Sequence, residues 1–238
     1  MTCHNFRDME TREKKEGISE YEILKPEETL SKILSVKILV IDYDKITPSK
    51  KFFGDIMYYV LGGKASLTLR QLKGDWRYPI CNDWTFWVPP MGDFTIKNVG
   101  YTPLYMIEFS SKISEDEDIS YVTNQHLSKV LNRFDCTLDS WVYSFQHTFF
   151  TPCPEMKKLH FGGYHTLYPG GYLPRHIPNL DCEETMYVTS GRGRISSGNN
   201  NYAVTPGSIV YVPPRTLHDI QNTSENELLE VLVYEAHS

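Results

Sequence analysis

A chain of 238 residues with 24 Lys and Arg against 30 Asp and Glu has a formal net charge of −6, and 40% of it is apolar, 13% aromatic. That composition supports a buried core and excludes a disordered chain. Mild acidity without clustered Lys and Arg argues against nucleic acid or an anionic membrane as partner. The length fits one large domain or two small ones. Residues 1–17 are polar and charged, and no apolar run approaches the ~18 residues of a bilayer span, so a cytoplasmic protein is expected. Five cysteines, Cys3, Cys81, Cys136, Cys153 and Cys182, include no CxxC pair and fit reduced thiols better than a disulfide frame.

In chain order, a helical pattern over 26–34 is followed by short β runs at 37–43, 56–61, 65–69, 85–88 and 104–109. An acidic run at 115–118 and a second helical pattern over 123–134 form a seam. Further β runs follow at 163–168, 185–189, 209–212 and 228–234. Short strands at this spacing, punctuated by Gly, Pro and Asn, predict an all-β sandwich or barrel with few short helices. Tyr58, Tyr59, Trp76, Trp84 and Trp87 are expected in the core and between the halves.

The two halves resemble each other. Six residues separate Asp55 from Gly62, and six separate Glu184 from Gly191, at an offset of 129 residues. Val88-Pro89-Pro90 is followed by Phe94 and Asn98, and Val212-Pro213-Pro214 by His218 and Asn222, at an offset of 124. Ordered matches of this kind predict a tandem duplication of a β-barrel unit of roughly 110 residues, with domains at 1–118 and 119–238.

In the second half, Gly170 is followed after five residues by His176, Glu184 is followed after six by Gly191, and Gly207 is followed after five by Pro213, then by His218 and Asn222. Here the sequence resembles the cupin superfamily, whose motifs read G-x5-H-x-H-x3or4-E-x6-G and G-x5-P-x-G-x2-H-x3-N. The second motif matches with Arg215 in place of its inner glycine. The first has Pro178 where the family has its second histidine, and one residue too many before Glu184, unless Glu183 takes that role. With the duplication, the resemblance implies a bicupin: two double-stranded β-helix, jelly-roll barrels.

It also implies a metal site of His176, Glu184 and His218 in the mouth of the later barrel. Two imidazoles and one carboxylate suit a single divalent transition metal, Fe, Mn, Ni, Cu or Zn, and leave positions open for substrate. Glu184, Met186 and Val188 share one strand face. Cys182, Asp181 or His165 could complete or orient the set, and Glu183 could substitute in it. Tyr164, Tyr172 and Tyr187 lie near the site; Tyr172, Met186 and Arg215 are the candidate substrate contacts, Arg215 through a bidentate grip on a carboxylate.

The first half has Phe94 opposite His218, a shortened loop from Lys50 to Gly54 in place of the one holding His176, and Asp55 as its only ligand candidate, so its barrel is expected to be metal-free. The functional expectation is a metal-dependent bicupin enzyme with one site in the later barrel, acting on a small carboxylate-bearing metabolite as an oxygenase or a non-redox isomerase, decarboxylase or hydrolase. The alternative is a non-catalytic cupin that binds a sugar or acid. Cupin-like homodimerisation would bury strand edges.

Overall fold

The alternating apolar runs become strands, and the turn residues between them set two barrels of similar plan. The computed structural model describes residues 3–6, 13–71, 74–114, 116–117, 119, 129–141, 143–151, 156–178 and 181–238. The first strands are β1 (Cys3–Asn5), β2 (Glu13–Lys15), β3 (Ile18–Leu24), β4 (Leu34–Ile41), β5 (Gly54–Gly62), β6 (Lys64–Gln71), β7 (Gly74–Cys81), β8 (Trp84–Val88), β9 (Asp93–Asn98) and β10 (Leu104–Lys112). After the seam come β11 (Lys129–Asn132), β12 (Thr137–Trp141), β13 (Ser144–Phe150), β14 (Leu159–Leu167), β15 (Tyr172–His176), β16 (Cys182–Ser190), β17 (Gly193–Ser197), β18 (Asn200–Val204), β19 (Ser208–Val212), β20 (His218–Asn222) and β21 (Leu229–His237).

Each barrel has a seven-stranded sheet facing a smaller one. In the earlier barrel the order β11-β8-β5-β10-β4-β3-β2 faces β7-β6-β9; in the later, β1-β19-β16-β21-β14-β13-β12 faces β15-β20-β17-β18. The outer strands are exchanged: β1 pairs with β19 of the later barrel, and β11 with β8 of the earlier. An edge that would otherwise offer unpaired amides is thereby covered in each case.

Alternation creates three cores rather than two. Ile56, Tyr58, Val60, Phe86 and Phe94 fill the earlier barrel. Met186, Val188, Val210, Val212 and Ile220 fill the later one. The opposite faces of the two large sheets meet through Met57, Tyr59, Trp87 and Phe109 on one side and Tyr164, Tyr187, Tyr211 and Tyr234 on the other. Tyr59 stacks on Tyr164 with centroids 5.5 Å apart, and Phe109 on Tyr234 at 5.2 Å. Trp76 departs from its expected place and is half exposed on β7.

Both predicted helices are corrected. Over 26–34 only Pro26–Glu28 forms a single 3-10 turn, and Leu34 already begins β4. The chain leaves helical geometry because the Leu30 amide donates to Tyr211 Oη at 2.8 Å and the Ser31 amide to Glu183 Oε1 at 2.5 Å. Of 123–134, residues 123–128 lie outside the described set; Lys129–Asn132 is strand β11, and Arg133–Asp135 a 3-10 turn. The open edge of β8 takes up backbone that propensity alone would leave helical. Cys153 and residues 115 and 118 of the acidic run also lie outside the described residues. No helix among the described residues is long and apolar enough to cross a membrane.

Candidate metal centre

The register places Glu184 opposite Val212 and Glu235, on the inner face of the later barrel with Met186 and Val188. Glu184 is 3% exposed and His218, which opens β20, is fully buried. Glu184 Oε2 lies 3.0 Å from His218 Nε2, yet neither atom makes a hydrogen bond of acceptable geometry. His176 closes β15, is the register partner of His218, and lies with its ring centroid 4.1 Å from that of His218. It is exposed at the barrel mouth.

The tautomers follow from the neighbours. His176 Nδ1 is 2.8 Å from Pro174 O and His218 Nδ1 is 3.4 Å from Thr216 O. A carbonyl can only accept, so each ring donates from Nδ1, and Nε2 is the nitrogen left for a cation. Metal-bound histidines are oriented in this way by backbone carbonyls. The Glu184 carboxylate and the His218 Nε2, 3.0 Å apart, are donors that suit a divalent metal, with the His176 ring beside that of His218.

Electrostatics bind the group together. Burial would raise the Glu184 carboxyl, but His218, with His176 and His165, outweighs it and holds it below the usual carboxylate range. Burial would lower His218, but the Glu184 charge raises it instead. His165 on β14 is buried and pushed down to about 4 by desolvation, so it stays neutral beside Glu184 and the other two rings. Of the suggested additions to the trio, His165 is the one the electrostatics couple to all three members.

The other candidates fall elsewhere. Glu183 is corrected: it is buried on the opposite strand face, where its carboxylate accepts from the Ser31 amide of the earlier barrel. Cys182 lies on the inner face one step beyond Glu184, with Sγ 3.4 Å from His237 Nδ1, and burial pushes its thiol up to about 12. Asp181 pairs at 3.1 Å with Arg215, whose side chain is 70% exposed. Tyr172 is half exposed on β15, whereas Met186 is buried two residues from Glu184. Tyr164 and Tyr187 belong to the core between the barrels.

The earlier barrel fills the corresponding positions differently. Ile56 pairs with Val88 as Glu184 pairs with Val212, and Lys50 bridges to Phe94 as His176 pairs with His218. Ile56, Phe94 and Lys50 therefore stand where the later barrel has Glu184, His218 and His176. Asp55 is corrected along with them. It is the counterpart of Glu183 and faces the other barrel, where it accepts from Trp87 Nε1 at 2.9 Å and from the amides of Lys158 and Leu159 at 2.5 and 3.1 Å.

Inside the earlier barrel the Lys50 ammonium lies 2.7 and 2.8 Å from the Glu108 oxygens, and Tyr58 Oη donates a short hydrogen bond to the same carboxylate. Burial would raise Glu108, but Lys50 and Tyr58 hold it below the usual range. Lys50→Met leaves that carboxylate buried without its counter-charge, with Tyr58 as its remaining donor. Chemical denaturation at neutral pH should show a loss of about 2–4 kcal/mol, below the usual cost for a broken buried pair because Lys50 is partly solvated. Lys50→Met/Glu108→Leu should recover most of it. A depressed carboxylate contributes fully above its unfolded value, so the difference between wild type and Lys50→Met should shrink as pH falls below about 4.

Residues 163–234 match the family model for the cupin domain. A stretch of 40 residues is 40% identical to an uncharacterized protein of Methanocaldococcus jannaschii; the match spans 17% of this chain and 32% of that relative's length. A variant of Bacillus subtilis oxalate decarboxylase superposes with a TM-score of 0.78 at 14% identity over 99% of this chain and 77% of that one. A Lactobacillus farciminis oxalate decarboxylase in complex with formate gives 0.78 at 13% over 98% and 85%. Another structure of the Bacillus subtilis enzyme, concerned with its Mn(II) centres, gives 0.78 at 14% over 99% and 77%. The chain thus has the two-barrel cupin fold, and the matched cupin domain lies in its later barrel.

Proposed function

We propose that the later barrel is a divalent-metal-dependent enzyme acting on a small carboxylate-bearing metabolite, with His176, Glu184 and His218 as ligands and His165 beside them. The observation that carries this reading is a buried carboxylate, Glu184, with Oε2 3.0 Å from Nε2 of the buried His218 on the facing sheet. Burying such a carboxylate costs several kcal/mol unless it is paired or metal-bound. The likeness to oxalate decarboxylases supports a short carboxylic acid as the substrate class.

The metal, when bound, supplies a Lewis acid that stabilises negative charge developing on a substrate oxygen. The chain's own residues do the rest. Ladder hydrogen bonds of β15, β16 and β20 would hold the three proposed ligands in register. Met186, Val188 and Val210 keep water from the inner wall. His165, buried on β14 and kept neutral by desolvation, adds an uncharged ring to the same barrel.

A non-catalytic reading, a cupin that only holds a small acid or sugar, draws on Pro178 standing where the family has a second histidine. Mn2+-loaded protein offered oxalate and short 2-oxo and 2-hydroxy acids, with and without oxygen, separates the two. Product should form with wild type and fall by at least ~100-fold in His218→Ala. Equal rates in both would contradict the enzyme reading. Ligand-induced change of the Mn2+ signal without turnover would select the binder.

A further inference from the structure

We propose a second metal site in the later barrel, made by His160, Cys182 and His237 and suited to Zn2+. It goes beyond the carboxylate-enzyme reading and stands without it. β14, β21 and β16 are neighbours in the sheet, with β21 between the other two, and these residues sit at the same end of the three strands: near the start of β14, at the end of β21 and at the start of β16. One donor atom from each lies within 4.8 Å of the others.

The three side chains are already in contact, through the two nitrogens of the His237 ring. His160 Nδ1 is 3.0 Å from His237 Nε2, and His237 Nδ1 is 3.4 Å from Cys182 Sγ. Tetrahedral zinc, at ~2.0–2.1 Å from nitrogen and ~2.3 Å from sulfur, holds its donors roughly 3.3–3.7 Å apart. The ring of His237 already lies between the other two donors, so rotation about its side-chain torsions brings a single nitrogen to face both.

The backbone holds the donors in place. Cys182 and His237 are register partners, His237 N donates to Lys158 O at 2.8 Å, and Ser238 N donates to Asp181 O at 2.9 Å. The strand ends bearing all three donors are thus tied together, and only side-chain torsions remain to be ordered. Cys182 is fully buried, while His160 and His237 are partly exposed.

Donor chemistry distinguishes this set from the centre at Glu184. One sulfur and two imidazoles select zinc, whereas imidazole with carboxylate oxygen also suits manganese or iron. On binding, the Cys182 thiol gives its proton to solvent and its sulfur forms the Sγ–Zn bond, so that one proton is released per site.

Titrating metal-free protein with Co2+, and then with Zn2+ as competitor, tests the assignment. A thiolate-to-cobalt charge-transfer band should appear, and Zn2+ should remove it. The band should persist in His218→Ala, vanish in Cys182→Ser, and in His237→Ala require at least ~10-fold more Co2+. No band in wild type at saturating Co2+ would overturn the site. So would a band that disappears with His218→Ala, because the thiol would then serve the Glu184 centre. Failure of the carboxylate assay alone would leave this result untouched.

Discussion

Asp55→Ala should destabilise the protein by about 3–5 kcal/mol, a larger loss than that of Lys50→Met. The carboxylate is fully buried and receives three donors, Trp87 Nε1 from its own barrel and the amides of Lys158 and Leu159 from the other. Removing it leaves all three without their acceptor, and each buried orphaned donor costs about 1–3 kcal/mol. Burial pushes the Asp55 carboxyl up while these donors pull it back, which is the balance of a charge held by hydrogen bonds alone. At about 2–4 °C per kcal/mol for a chain of this size, thermal unfolding should fall by roughly 6–20 °C. Asp55→Asn keeps an acceptor oxygen and should lose about half as much. Glu183→Ala, which frees the Ser31 amide and the Tyr211 contact, should also cost less. A drop below ~1 kcal/mol for Asp55→Ala would mean that the two barrels do not depend on this clamp.

The duplication was legible in the sequence, and its register was wrong by one. Matching Asp55 with Glu184 and Gly62 with Gly191 uses an offset of 129, whereas the strand pairing of Ile56 with Val88 and of Glu184 with Val212 sets it at 128. A slip of one residue exchanges the faces of a strand. It turned a clamp between barrels, Asp55, into an apparent relic of a metal site. The backbone carries the missing clue: Gly63 and Gly191 both have positive φ, 102° and 79°, and Gly62 does not. A β-carbon on Gly191 would stand 2.0 Å from Leu228 O, so that turn admits glycine alone. Sequence spacing cannot report a torsion angle, and two adjacent glycines made either choice plausible.

The second offset, 124, holds through the turns. Asn98 donates to Ile41 O and Thr102 O and accepts from the Gly100 amide, and Asn222 donates to Leu167 O and Glu227 O and accepts from the Ser224 amide. The motif asparagine is therefore a turn brace used identically in both barrels. The meeting of His218 with Glu184 and with His176 was legible because their spacing follows a motif. That of Lys50 with Glu108 was not, since they are 58 residues apart and belong to no motif. His237 was invisible for the same reason: its partners come from two other strands, and the sheet order that unites them is a tertiary fact. The exchanged edges β1 and β11 likewise depend on what the other barrel leaves open.

Removal of His218 should have the largest effect on the later barrel's chemistry. Its Nε2 faces Glu184 from a strand across the barrel, and its register partner is His176, while that of Glu184 is Val212. Alanine leaves Glu184 buried beside His165, which stays neutral, so the carboxylate loses its main compensating charge along with a ligand. Loss of a ligand-orienting group alone lowers metal affinity 10–100-fold, and loss of a ligand should exceed ~100-fold. Manganese is the appropriate probe because it favours nitrogen and oxygen donors and does not compete for the Cys182 thiol.

The decisive measurement is elemental analysis of protein stripped of metal, reloaded with Mn2+ and desalted. Wild type, Phe94→Ala and Cys182→Ser should each retain close to one Mn2+ per chain, and His218→Ala close to none. Manganese retained at the wild-type level in His218→Ala would contradict a centre built on Glu184 and His218.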